Sequence, residues 1–339
     1  MIQNIIRFIK SNNPRQMTQK VKKKISFVIP VYNEATNIPL LYSELNSILY
    51  GVPHLFEFIF VDDGSSDGSL ELIKRLAEKN ANIFYIELSR NFGHQYALKA
   101  GLDLSNGDCI ISMDCDLQHP PEVVKKLLAK WEEGYDVVYT RRNEDKKLPW
   151  LKRKTSSLFY TLINKISDVK LENGTADFRL MNRNVLNAFS HLNESELFIR
   201  GLIKWAGFKQ TAIDYDPRER HTGDSKYNLK KMLSFALRGI TSFSVRPLQM
   251  IAYLGMTLFL ISMILVPYAL ISYFMNKTVS GWTSVMISII FFGSLQLLML
   301  GIVGLYISKL VIQSKQRPLY FIRETNYGLN PGVDNQDMK

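Results

Sequence analysis

The sequence predicts an α/β body with a mostly parallel sheet, followed by a membrane-embedded tail. Three observations carry this. From about residue 25 to 140, short β-rich runs alternate with helical patterns, and strands separated by helices pair in parallel through right-handed crossovers. Acidic residues gather directly after the second and fourth of those strands, which is where ligands bind on such sheets. Finally, 30 residues between Arg246 and Lys277, and 31 between Lys277 and Lys309, carry no charged side chain, whereas a bilayer span needs about 20 apolar residues.

Taken in order, the segment 1–24 holds seven Lys or Arg and no acid. Its apolar stretch 2–9 lacks the long h-region and small-residue cleavage site of a signal peptide. The body, 25–227, opens on ISFVIPV (25–31), read as a strand, and a helix over about 36–48. FEFIFV (56–61) is the second strand, with Asp67 suited to cap the helix after it. NIFYIEL (82–88), a helix near 93–104, DCIISMD (108–114), the helical VVKKLLAKWEE and YDVVYT (135–140) continue the alternation. Within 228–246, Leu229, Met232, Leu233, Ala236, Ile240 and Phe243 recur at helical spacing. That stripe fits an amphipathic helix lying in the headgroup layer or packing on the body.

Two spans then follow within 247–312, at about 250–275 and 284–308. Each is long enough to cross a roughly 30 Å hydrocarbon layer with some tilt, and Pro267 is tolerable if neighbours satisfy the freed carbonyl. The loop between them has one Lys, while both outer flanks are rich in Lys and Arg. The positive-inside bias therefore puts the loop outside, and the body, both termini and the tail 313–339 on the cytoplasmic side of a multi-pass protein.

The 339 residues carry a net charge of +11, and the excess is local. Segments 1–24, 141–154 and 217–246 contribute +7, +5 and +5. No motif interleaves aromatics with these bases, so nucleic acid is not the expected partner. Anionic headgroups or plain solvation account for them instead. Two cysteines, Cys109 and Cys115, exclude a disulfide framework and a cysteine metal cage and read as small core residues.

The acids suggest a definite chemistry. Asp62 and Asp63 end an apolar strand, so their carboxylates sit at its mouth and can accept from a base or ribose hydroxyl. Asp114 and Asp116 flank one residue and in extended backbone point the same way. Adjacent carboxylates repel unless a cation or shared proton intervenes. With Gln118 adding a neutral oxygen, the set is hard and suits Mg²⁺ or Mn²⁺, which take few protein oxygens plus substrate phosphates. GxGxxG and GxxxxGK[ST] sequences are both missing, so neither a usual dinucleotide site nor a P-loop is supported.

Together, VIPVYNE (28–34), VDDGSSD (61–67), SRNFGHQYALKAG (89–101), MDCDLQHP (113–120), ADFRLMNR (176–183) and RHTGDSKY (220–227) resemble family 2 glycosyltransferases of the polyprenyl-phosphate type. The two-span tail is similar to that of bacterial bactoprenol glucosyltransferases. The likeness runs from about 25 to 320; Cys115, where the family usually has Ala, and the variable His221 are small departures, and 1–24 lies outside it.

The resemblance implies a type A glycosyltransferase fold, Rossmann-like, and inverting transfer from a nucleotide sugar to undecaprenyl or another polyprenyl phosphate at the bacterial inner membrane. Carried over by motif, Pro30, Tyr32, Glu34, Asp62 and Asp63 would hold the nucleoside. Asp114, Asp116 and Gln118 would hold Mg²⁺ or Mn²⁺, with Asp116 also catalytic. Asp177 would act as base, orient a sugar hydroxyl or pair with Arg179, and Arg141, Arg153, Arg220 and Lys226 would meet phosphates. UDP-glucose is the expected donor, ahead of UDP-N-acetylglucosamine and GDP-mannose, and the family resemblance leaves room for a homo-oligomer, a tetramer. A processive polysaccharide synthase is disfavoured because no Q-x-x-R-W sequence occurs; a non-catalytic scaffold, because every expected carboxylate is present. His94 and His119 read as local hydrogen-bonding groups ahead of substrate contacts, and Trp205 and Phe208 as buried ahead of facing the acceptor chain or the bilayer. Residues 146–154 read as a solvated loop or a lipid-phosphate contact.

Overall fold

The computed structural model describes residues 22–143, 174–190, 192, 194, 197–218, 246–275 and 281–328. Its centre is an eight-stranded sheet. The strands are β1 (Lys24–Val31), β2 (Leu55–Asp62), β3 (Ile83–Leu88), β4 (Cys109–Ser112), β5 (Val137–Arg142), β6 (Thr175–Asn182), β7 (Gln210–Tyr215) and β8 (Ile322–Thr325), in the order β7-β5-β6-β4-β1-β2-β3-β8. Neighbours β3, β2, β1 and β4 are parallel, as are β5 and β7. Strands β6 and β8 run against the rest.

The parallel half follows the sequence pattern closely. β1 is central and apolar on both faces, and seven of its eight residues are buried, as expected of a strand covered from both sides. Helices α1 (Asn37–Leu49), α2 (Ser69–Lys79) and α4 (Val123–Glu132) cover one face, with Leu41, Leu45, Ile73 and Leu127 meeting Phe27, Phe58 and Phe60. Helices α3 (His94–Leu104), α5 (Arg183–Ser190) and α6 (Ile199–Trp205) cover the other, where Ala97, Val185 and Leu202 join Val28, Ile59 and Val61. At Gly101 a Cβ would lie 2.3 Å from Val28 Cγ1, so α3 approaches the sheet closer than any other residue permits.

The second half departs from the pattern. Helices α5 and α6 and strands β6 and β7 come from a stretch where no clean periodicity marks them. The antiparallel β8 comes from the segment 313–339, expected to be a cytoplasmic tail. Trp205, expected in the core, ends α6 with 65% of its surface exposed, while Phe208 is partly buried. Cys109 and Cys115 are buried, as expected.

Both apolar stretches are helical, α7 (Arg246–Phe274, with Pro267 inside) and α8 (Trp282–Ser314). Among the described residues one helical stretch, Phe291–Ser314, is long and apolar enough to cross a membrane; in α7 the apolar stretch is Leu248–Leu258. The expected interface helix lies outside the described residues, apart from its last residue.

Candidate active site

Everything of chemical interest gathers at the carboxyl ends of the parallel strands. After β1 and β2, the segments 32–36 and 62–69 are stitched together. Asn33 donates its amide to Ser65 Oγ at 3.0 Å, Ser66 donates to Asn33 Oδ1 at 2.8 Å, and Ala35 to Asp67 Oδ2 at 3.1 Å. Asp67 also accepts the Ser69 amide at 3.0 Å, but the residue at the N-cap of α2 is Gly68 rather than Asp67.

The two acids after β2 differ in use. Asp63 has both oxygens occupied, accepting the amides of Phe92 at 2.7 Å and Gly93 at 2.9 Å. It therefore holds the β3–α3 connection. Asp62 accepts the Ser65 amide at 3.1 Å through Oδ2, while its buried Oδ1 has no partner, an unsatisfied acceptor that calls for a donor. Burial pushes both carboxyls up. Of the neighbours expected beside them, Pro30 is buried in β1, Tyr32 is half exposed, and Glu34 accepts from the Asn37 amide side chain at 2.5 Å.

Strand β4 stops at Ser112, two residues earlier than the sequence suggests. Beyond it the chain bends, with Leu117 at φ 61°, yet the alternation persists. Met113, Cys115, Leu117 and His119 are buried, whereas Asp114, Asp116 and Gln118 are half-exposed. The three expected ligands thus share a face because the intervening residues are pulled into the core. Gln118 Oε1 accepts from Arg142 at 2.9 Å, and Asp116 Oδ1 from the Gln118 amide at 3.2 Å. Among the described residues no three His, Cys, Asp or Glu side chains close on one point. Two outward carboxylates fit a divalent ion that takes most of its oxygens from substrate and water; they do not make a closed cage.

Asp177 reaches this edge because β6 is antiparallel to β4. Ser112 pairs with Arg179, so the start of β6 overhangs the end of β4. Asp177 is buried and ringed by donors. Arg200 grips it with two hydrogen bonds of 2.8 Å, Gln95 Nε2 donates at 3.1 Å, Arg179 lies at 3.4 Å and His94 Nε2 at 3.7 Å. Burial alone would raise this carboxyl, but the Arg200 guanidinium holds it well below the usual range, which makes it a poor base at neutral pH. His94 Nε2 also lies 3.4 Å from Asp114. Against burial, which favours the neutral ring, the Asp177 hydrogen bond and the Asp114 charge push His94 up to about 9. His119 behaves oppositely: burial lowers it, and Nδ1 accepts the Asp114 amide at 3.2 Å while its ring stacks on Phe178.

The remaining expected residues divide. Arg141 lies at the end of β5 and makes a two-point contact with Asp214 at 2.6 and 3.0 Å. Arg153, Arg220 and Lys226 lie outside the described residues, but the segment leading to the last two passes over the bend, where Arg218 donates its amide to the Gln118 carbonyl at 3.2 Å. Gln95, Arg142 and Arg200 carry no motif signal strong enough to single them out, although Gln95 lies inside the stretch 89–101.

The class of protein is set by a mostly parallel α/β sheet with paired carboxylates at its carboxyl edge, a buried Arg–Asp cluster beside them and an apolar helical tail. The glycosyl transferase family 2 model matches residues 26–189. The chain is 39% identical over 307 residues to the uncharacterized glycosyltransferase YkcC of Bacillus subtilis, covering 90% of this chain and 94% of that one. It is likewise 39% identical over 309 residues to the bactoprenol glucosyl transferase of Shigella phage SfII, covering 91% of this chain and 100% of the relative. Among solved structures, a mannosyltransferase from Pyrobaculum calidifontis overlaps loosely, with TM-score 0.47 and 16% identity over 66% of this chain and 64% of that one. The protein belongs to glycosyl transferase family 2, is of the bactoprenol glucosyl transferase type, and is a glycosyltransferase.

Proposed function

We propose that the protein transfers glucose from UDP-glucose to undecaprenyl phosphate, with inversion at the anomeric carbon, on the cytoplasmic face of the bacterial inner membrane. The product is a lipid-linked glucose for cell-envelope glycosylation. The observation that carries this reading is the similarity to the phage SfII bactoprenol glucosyl transferase, which extends over body and apolar tail alike. In this reading α7 and α8 are the two spans.

The chemistry suits the residues present. Asp62, through its unpartnered Oδ1, accepts a hydrogen bond from the nucleoside beside Pro30, Tyr32 and Glu34, while Asp63 keeps the adjoining loop in place. Asp114 and Asp116 would hold Mg²⁺ or Mn²⁺, which supplies positive charge to the departing diphosphate; Gln118 would first have to release Arg142. A lipid phosphate has its second pKa near 6, so it is largely dianionic at neutral pH and needs little help from a base. Asp177, held ionised by Arg200, therefore orients a sugar hydroxyl and the surrounding cations. Arg200 and His94 present positive charge where the phosphates meet. The acceptor phosphate is met by Arg153, Arg220 and Lys226, and by Arg141 once it exchanges Asp214 for phosphate.

Purified full-length protein, given undecaprenyl phosphate and a panel of UDP-glucose, UDP-N-acetylglucosamine and GDP-mannose, tests this. UDP-glucose should give the fastest lipid-linked product, with inverted anomeric configuration. Preference for another donor would overturn the sugar assignment, and no product from any donor would overturn the reaction.

A further inference from the structure

We propose that β8, the strand that follows the helical tail, positions the loop over the donor site, with Arg323 and Phe321 as the positioning residues. This rests on the reaction proposed above. The chain leaves α8 at Ser314 and enters β8 at Ile322, so seven residues separate the apolar helix from the catalytic sheet. β8 enters at the same sheet edge as the site, with Ile322 opposite Leu88, the last residue of β3.

Its first residues grip the β3–α3 connection. Ser89 donates its amide to the Phe321 carbonyl at 2.8 Å. Arg323 straddles the end of β3, donating through Nη1 to Glu87 Oε1 at 2.9 Å and through Nη2 to the Ser89 carbonyl at 2.7 Å. The Phe321 ring lies 6.3 Å from that of Phe92. From the other side the same loop is held by the body. A Cβ on Gly64, at φ +70°, would fall 2.7 Å from the Asn91 nitrogen, so the loop rests directly on the turn after β2. Asp63 takes the amides of Phe92 and Gly93. The next two residues are His94, which faces Asp114 and Asp177, and Gln95, which donates to Asp177.

The loop is thus clamped between Asp63 and the returning strand, and its far end carries two groups of the site. The remaining ties of β8 do not touch the loop directly, although Lys74, which Glu324 binds, also lies 3.4 Å from Glu87. Glu324 binds Lys74 at 2.7 Å and Tyr85, and Thr325 Oγ1 donates to the Tyr85 carbonyl at 2.6 Å; these hold the strand in the sheet and involve no residue of 89–93. A small displacement of a positioning group costs up to about a hundredfold in rate even when the chemistry itself is untouched, so the Arg323 contact matters to catalysis beyond the strand's stability. The donor site is registered, through seven residues of chain, to the apolar helix.

Full-length protein in nanodiscs tests this with two readouts, hydrogen exchange of peptides covering 89–95 and the UDP-glucose KM separated from kcat. Arg323→Ala should speed exchange at the Phe92 and Gly93 amides and raise KM about tenfold, with Arg323→Lys recovering part of both. Glu324→Ala should speed exchange in 322–325 alone and leave KM within about twofold. Identical behaviour of the Arg323 and Glu324 variants, or unchanged exchange at 89–95 in Arg323→Ala, would overturn the proposal. If Arg323→Ala does not accumulate, Arg323→Gln is measured in its place by the same criteria. Wild type without UDP-glucose turnover would defeat the reaction, while the exchange comparison still decides the role of the strand.

Discussion

Two carboxylates are buried at opposite ends of the same sheet, and they are satisfied differently. Glu57, near the start of β2, is 3% exposed. It accepts from Ser26 Oγ at 2.5 Å and Tyr327 Oη at 2.8 Å, and it faces Lys24 Nζ at 2.7 Å. One carboxylate meets one ammonium, and the other donors are neutral hydroxyls. Asp177, at the mouth, is 4% exposed and meets two guanidiniums and an imidazole held protonated at neutral pH. Burying a charge requires partners in both places, but three cations beside Asp177 and the neighbouring Asp114 leave a positive surplus that suits a place where further anions arrive. Burial flags both residues; the charge balance of their partners separates structure from site.

Substitutions at the two ends should therefore fail in different ways. Asp116→Asn, at the mouth, should lower turnover about a thousandfold with an unchanged melting temperature, and chelator should mimic it in wild type; full activity in chelator would break the contrast. Asp177→Asn should cost about 3 kcal/mol, because it leaves buried Arg179 facing Arg200 without its carboxylate, and denaturant titration in detergent would measure this.

The same pair sets an acid dependence. Because the folded carboxyl is depressed, its stabilisation is complete above the ordinary value of about 3.9 and is lost as pH falls towards the folded value, where the unfolded chain binds the proton first. Acid unfolding should accordingly be steeper below about pH 4 in wild type than in Asp177→Asn, and parallel curves would contradict the ion cluster.

At the far end, Glu57→Gln should cost about 1–2 kcal/mol while leaving the donor KM unchanged. A KM shift there would show that the two ends are not independent. Smallest of all, Tyr327→Phe removes the hydroxyl that joins Glu57 to the Asn106 amide and should cost about 1 kcal/mol, read as a lowered melting temperature.

The strands at 25–31, 56–61 and 82–88 could be read to within a residue at each end, because central parallel strands are apolar runs bounded by turn residues. The alternation of Asp114, Asp116 and Gln118 with buried residues was also legible, although the strand ends at Ser112. Alternating burial of Cys115 and Leu117, rather than ladder pairing, maintains it. Asp63 was read as a nucleoside contact, and its two loop amides could not be foreseen from its own neighbourhood. Arg200 was missed because its partner lies 23 residues away and no local pattern records such a pairing. β8 was missed because four residues at an edge, paired across more than 200 positions of chain, carry too little hydrophobic signal to stand out from a polar tail.

Sequence by itself determined the alternation of the parallel half, the apolar tail, the acids at strand ends and, through six ordered motifs, the family. These properties are local: periodicity, turn residues and motif spacing are written within a few residues of where they act. Only the tertiary structure decided that Asp63 holds a loop through both oxygens while Asp62 keeps an unpartnered Oδ1, that Asp177 is ringed by cations, and that the segment after α8 returns to the sheet. Those outcomes depend on long-range pairing, above all the two antiparallel strands that carry Asp177 and Arg323. Strand direction is set by the packing of the whole sheet, and no residue along either strand encodes it.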